Sequence, residues 1–159
     1  MSSPLGYILN LGIAGIVLVS VGAVGLVFFE TNETTAIESE LAVFGNELAG
    51  DIQEVDRMAV DAGSVREVGQ RSSLGEHART DRYIVEVINR SDAGASDTRF
   101  EHADICERAC LVLVTQDGDV RAVTNYVSKT PVQSSRFDGG PVYVHRPAGS
   151  DTIRFEPLA

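Results

Sequence analysis

The 159-residue chain has no tryptophan, two cysteines, and a single lysine, Lys129, among its 13 basic residues. No proline stands between Pro4 and Pro131, and no Asp, Glu, Lys, Arg or His occurs in residues 5–29. Against so few cations stand 23 acidic residues, for a formal charge of −10. Phosphate binding needs a basic face, so nucleic acid is not expected as a partner. An acidic, lysine-poor composition that retains arginine fits a halophilic protein, kept hydrated in very high salt where screening over about 3 Å at 1 M removes self-repulsion. An ordinary acidic protein is the alternative.

The missing charges define the first segment. Residues 5–29 give 25 uncharged positions, where about 20 suffice to cross a bilayer core of about 30 Å. The run predicts a transmembrane segment over residues 1–30, in contact with membrane lipid. A secretory signal would start with basic residues and have a shorter apolar run; neither property is present. Gly12, Gly15, Gly22 and Gly25 offer small residues for close helix packing in lipid. Orientation is not set by charge, because no Lys or Arg appears before Arg57. Asn32-Glu33-Thr34 and Asn89-Arg90-Ser91 match the N-glycosylation acceptor pattern, and Cys106 and Cys110 suit an oxidising exterior. Together they favour a single-pass protein with its C-terminal part outside the cell.

Beyond Glu30 the missing prolines matter. Ile37, Leu41, Phe44, Leu48, Ile52, Val55 and Ala59 recur at spacings of 4, 3, 4, 4, 3 and 4, one face of an α-helix. The spacing predicts an amphipathic stalk helix over 31–62, ending where Gly63 can take a C′ position. Residues 63–82 read as a connector with room for a short strand at 65–68. From residue 83 the apolar period shifts from 3.6 to 2: 83–88 (YIVEVI), 111–115 (LVLVT), 120–127 (VRAVTNYV), 142–145 (VYVH) and 152–155 (TIRF) are five strand signals. Gln116-Asp117-Gly118-Asp119 supplies a hairpin turn. The predicted fold is α+β: a long N-terminal transmembrane and amphipathic helix packed on one small antiparallel sheet, the β-rich domain occupying 63–159.

Chemistry is sparse. Cys106 and Cys110 form a C-x₃-C pair that can close a disulfide, stay as free thiols, or join His102 as metal ligands on one helix face; three ligands without a second half-motif make a weak zinc pattern. His77, His102 and His145 are dispersed, and neither a P-loop nor a G-x-S-x-G motif is present. No cofactor is implied and an enzyme is not expected.

Ser3-Pro4-Leu5-Gly6-Tyr7-Ile8-Leu9-Asn10-Leu11 opens the glycine-punctuated apolar run, and ESELAVFGNELAGDIQEVDRMA follows at 38–59. Over about the first 60 residues this order resembles the archaeal type IV pilin-like proteins, especially small haloarchaeal ones. The resemblance implies a structural subunit, minor or accessory, whose N-terminal helix meets other pilin-like subunits or its own copies and whose β-rich head faces outward, at the membrane or in a surface filament. In that family a short basic leader precedes the apolar segment; here no Lys or Arg precedes Ser2. The alternative is an anchored extracellular binding module that does not polymerise and binds through loops such as 91–97 or 133–141.

Overall fold

The computed structural model describes residues 4–94 and 99–158, with side chains from Glu33 onward apart from Ser64. Helix α1 runs Pro4–Ala62, and the chain divides into two compact units, Met1–Ala36 and Ile37–Ala159. In the first unit the backbone is helical from Pro4 onward.

The second unit holds the rest of α1 and eight strands: β1 (Val68–Ser72), β2 (His77–Ala78), β3 (Asp81–Ile88), β4 (Cys110–Thr115), β5 (Arg121–Asn125), β6 (Ser135–Asp138), β7 (Val142–Arg146) and β8 (Arg154–Pro157). Strands β2, β3, β4 and β5 follow one another in a five-stranded sheet that β6 joins by pairing with β3, and β1, β7 and β8 make a three-stranded sheet in which β7 is central. Every strand pairing is antiparallel.

Alternation along the strands decides what is buried. Val85 and Val87 stand opposite Leu113 and Leu111, and these four join Leu41, Leu48, Ile52 and Val55 of α1 and Val142 and Val144 of β7 in one core, all fully buried. Burial of each such side chain contributes about 1.5–3 kcal/mol, which is what holds the helix to both sheets. Gly45 lies where α1 packs tightly on β4 and β5: a Cβ there would sit 2.6 Å from Thr124 Oγ1 and 3.3 Å from Leu113 Cδ1. Gly63 ends the helix with φ +62°. The buried Arg146 guanidinium then donates to the carbonyls of Ala59 (3.1 Å), Gly63 and Arg66 (3.0 Å), a cation on the negative end of the helix dipole.

The other face of the five-stranded sheet carries Ile88, Cys110 and Val112, which pack with Ala103 and Cys106 in a second, smaller core. Ala93, Phe100 and Ile105 pack against it. Between β4 and β5 the turn forms through Gly118 at φ +83°, with the Thr115 N–H donating to the Val120 carbonyl at 2.9 Å.

The predicted fold is corrected on two points. Among the described residues no helix is long and apolar enough to cross a membrane. Glu38, Glu40, Glu47, Asp51, Glu54 and Asp56 interrupt the part of α1 whose side chains are described, so its apolar face suits a sheet and not lipid. The expected span over 1–30, with Gly12, Gly15, Gly22 and Gly25 on it, lies outside the residues whose side chains are described. The second correction is the sheet. Five strands in one sheet become eight in two: β1, β2 and β6 are additional, and β1 emerges from the presumed connector and pairs with β7, which closes a sheet of its own with β8.

Candidate functional site

At the end of β3 the chain turns on Asn89. Its Oδ1 accepts the N–H of Ser91 (2.7 Å) and of Asp92 (3.1 Å) and the Ser91 hydroxyl (2.7 Å), a local side-chain turn that asparagine favours. The Asn89 N–H donates to Ser134 Oγ at 2.9 Å, and that hydroxyl donates to Asp92 at 2.5 Å. Opposite, Tyr126 follows β5. Its hydroxyl donates to the Ile88 carbonyl at 3.2 Å and its N–H to the Ala109 carbonyl at 3.3 Å. Burial, aided by the Asp92 charge, pushes the Tyr126 hydroxyl well above its ordinary pKa, so it remains a donor.

The next loop is held by α1. The Asp56 carboxylate accepts the N–H groups of Lys129 (3.0 Å) and Thr130 (2.7 Å). Burial works to raise the Asp56 carboxyl, but those two amides and the Thr130 and Ser128 side chains outweigh it and hold the group below the usual 3.8. The turn at Asn89, the Ala109 region and the pinned loop enclose a groove of about 660 Å³ that Arg90, Arg108, Tyr126, Val127 and Lys129 help to line. A neighbouring cavity of about 600 Å³ shares Val127 and Lys129 and adds Arg57, Val60 and Asp61 from α1. Three cations lining one groove invert, locally, the charge of a chain that carries −10 overall. This groove is the surface feature best suited to receive an acidic group.

A second polar cluster lies on the outer face of the five-stranded sheet. Glu86 is fully buried. Its Oε2 accepts the His102 N–H at 3.2 Å and lies 3.2 Å from His102 Nδ1, while Oε1 is 3.4 Å from an Arg136 guanidinium nitrogen. Arg136 is also its register partner on β6. A buried carboxylate needs such company, and the arrangement ties residues 100–105 down onto β3.

Residues 1–156 match a family described as a family of unknown function (DUF7266). The chain belongs to this family. No curated protein and no solved structure matches it. Membership in DUF7266 brings no activity, partner or location with it, so function in this DUF7266 chain rests on its own residues.

The residues singled out by sequence that lie among the described side chains are placed as follows. Ile37, Leu41, Leu48, Ile52 and Val55 are buried in the unit's own core, and Phe44 is half-buried, stacked on Tyr83 at 5.5 Å between ring centroids. Cys106 and Cys110 form a disulfide, with Cα atoms 6.0 Å apart. His102 does not share a helix face with them: residues 103–105 are a single 3₁₀ turn, Cys110 begins β4, and His102 faces Glu86. Asn89 lines the groove mouth, whereas the Asn32 side chain lies outside the described residues. Asp56, Arg146 and Glu86 escaped sequence reasoning, as did the meeting of Arg90, Arg108 and Lys129 in one groove. Asp56 and Arg146 bind partners 73 or more positions away, which no local pattern marks. Glu86 did leave a signal, as the lone charge inside YIVEVI.

Proposed function

We propose that the protein is a pilin-like structural subunit of the cell surface, retained through residues 5–29 by lipid or by like subunits. One observation carries the reading: the apolar face of α1 from Ile37 to Val55 is used up by the protein's own core, so it has no surface left for a partner. The 25 uncharged residues at 5–29 are then the part whose chemistry calls for lipid or for copies of itself. The Cys106–Cys110 disulfide supports placement of the β body in an oxidising exterior. A charge of −10 keeps that body hydrated and discourages its nonspecific collapse onto neighbours.

The test replaces Gly15 and Gly22 together by leucine and follows higher-order assemblies by cross-linking in membranes. The subunit reading expects the assemblies to be lost while the β body stays folded; assemblies that survive intact contradict it. The cationic groove favours one second reading, an anchored binding module that does not polymerise. In that case the wild-type chain forms no assemblies at all and a soluble acidic partner competes for the groove.

A further inference from the structure

We infer that a second copy of this chain seats on the face around Val60 and Val127, in a two-fold contact that sets the acidic edge of α1 against the cationic groove of the other copy. The contact lies in residues 37–159 and is separate from any association through residues 5–29.

The face has an apolar centre. Val127 is 77% exposed and Val60 56%, and both line the cavity of about 600 Å³ beside the groove. A lone exposed valine is ordinary; two flanking one cavity give a second surface something to cover. The two sides of this centre carry opposite charge. Glu54 and Asp61 lie seven residues apart and are exposed; a seven-residue step drifts only about 20° on a straight helix, so they share one edge of α1. On the other side stand Arg90, Arg108 and Lys129, all exposed. Asp61 and Lys129 line the same cavity, which shows that the two edges adjoin.

A patch with one acidic flank, one basic flank and an apolar centre is complementary to itself after a half-turn, which is the requirement for an isologous dimer. An anionic small molecule in the groove would reach Val127 but leave Val60 and the acidic edge uncovered. The charges fix register and suppress wrong partners, and the valines supply apolar contact. Arg57 sits on the same face, 3.4 Å from Glu54, with both side chains largely exposed. Such a surface pair is weak and leaves Glu54 free to exchange partners.

The experiment uses the full chain in detergent micelles, with mass read by sedimentation equilibrium. One variant carries Arg108→Glu with Lys129→Glu, the other Glu54→Arg with Asp61→Arg. Each alone should dimerise more weakly than wild type by about tenfold or more, as expected for loss of close charge pairs. Mixed in equal amounts, the two should dimerise again, because each flank then meets its opposite. All four positions are exposed, and unchanged circular dichroism of each variant, with Val127→Asp as a further disrupting substitution, separates loss of contact from loss of fold. A wild type that stays monomeric overturns the inference. So does a dimer indifferent to both reversals, which would locate association in residues 5–29 and leave the subunit reading standing. Weakening that mixing does not restore overturns the two-fold pairing as well.

Discussion

Asp56→Ala removes the carboxylate that fastens the loop at Lys129 and Thr130 to helix α1. It breaks two bonds from backbone amides, of 3.0 and 2.7 Å, to a charged acceptor. Asp56 is only 8% exposed, so water does not readily take the carboxylate's place. Hydrogen bonds to charged groups contribute about 1.5–3 kcal/mol each, and relief of the buried charge returns part of that, so the net loss should be about 2–3 kcal/mol. Urea unfolding of the full chain in micelles measures it, and amide hydrogen exchange locates it: Lys129 and Thr130 should lose protection while β3 and β4 keep theirs. The pH dependence follows from the sign of the shift. A carboxyl held below 3.8 in the folded state stabilises fully above its unfolded value and loses that contribution as pH falls through the lower folded value. The gap between wild type and Asp56→Asn should therefore be complete at neutral pH and close at the acid end. A cost under about 0.5 kcal/mol, with Lys129 and Thr130 still protected, would refute the pinning role.

Gly45→Ala should destabilise the second unit although alanine is the better helix former by about 1 kcal/mol. The new Cβ would lie 2.6 Å from Thr124 Oγ1, and Thr124→Ala in the same chain should recover much of the loss in thermal unfolding. His102→Ala leaves the fully buried Glu86 without its Nδ1 contact; limited proteolysis should then cut within residues 89–109 faster than in wild type, with the strands still protected. Reduction of the Cys106–Cys110 disulfide, which closes a separation of four residues, should lower stability by no more than about 2 kcal/mol and leave β4 paired, as amide exchange would report.

The most deeply buried strands were legible in sequence, since 83–88 and 111–115 alternate or run apolar and lie at the centre of the larger sheet. The helix face from Ile37 to Ala59 was legible for the same reason, its period being fixed by what it buries. Strand β1 was not. In VGQRS only one residue is strongly apolar, so a stretch that pairs along its whole length with β7 reads as a connector. Strand β6 hides likewise, with Phe137 the one apolar residue of SRFD. Without β1, nothing in the sequence set β7 and β8 apart from the larger sheet, and two sheets read as one. The groove was less legible still, because its cations come from a turn, a disulfide loop and a segment tied to α1 by Asp56. Charge counting finds the excess of acid, and only the fold reveals where the few cations meet.

The subunit reading rests on residues 5–29, and one comparison tests it most directly. The full chain and a chain lacking residues 1–32 are expressed side by side, and their membranes and high-mass fractions are separated by sedimentation without detergent. The reading expects the full chain in the membrane or in high-mass assemblies and the shortened chain, still folded by circular dichroism, in the supernatant. A full chain that remains dispersed and monomeric without detergent would contradict it.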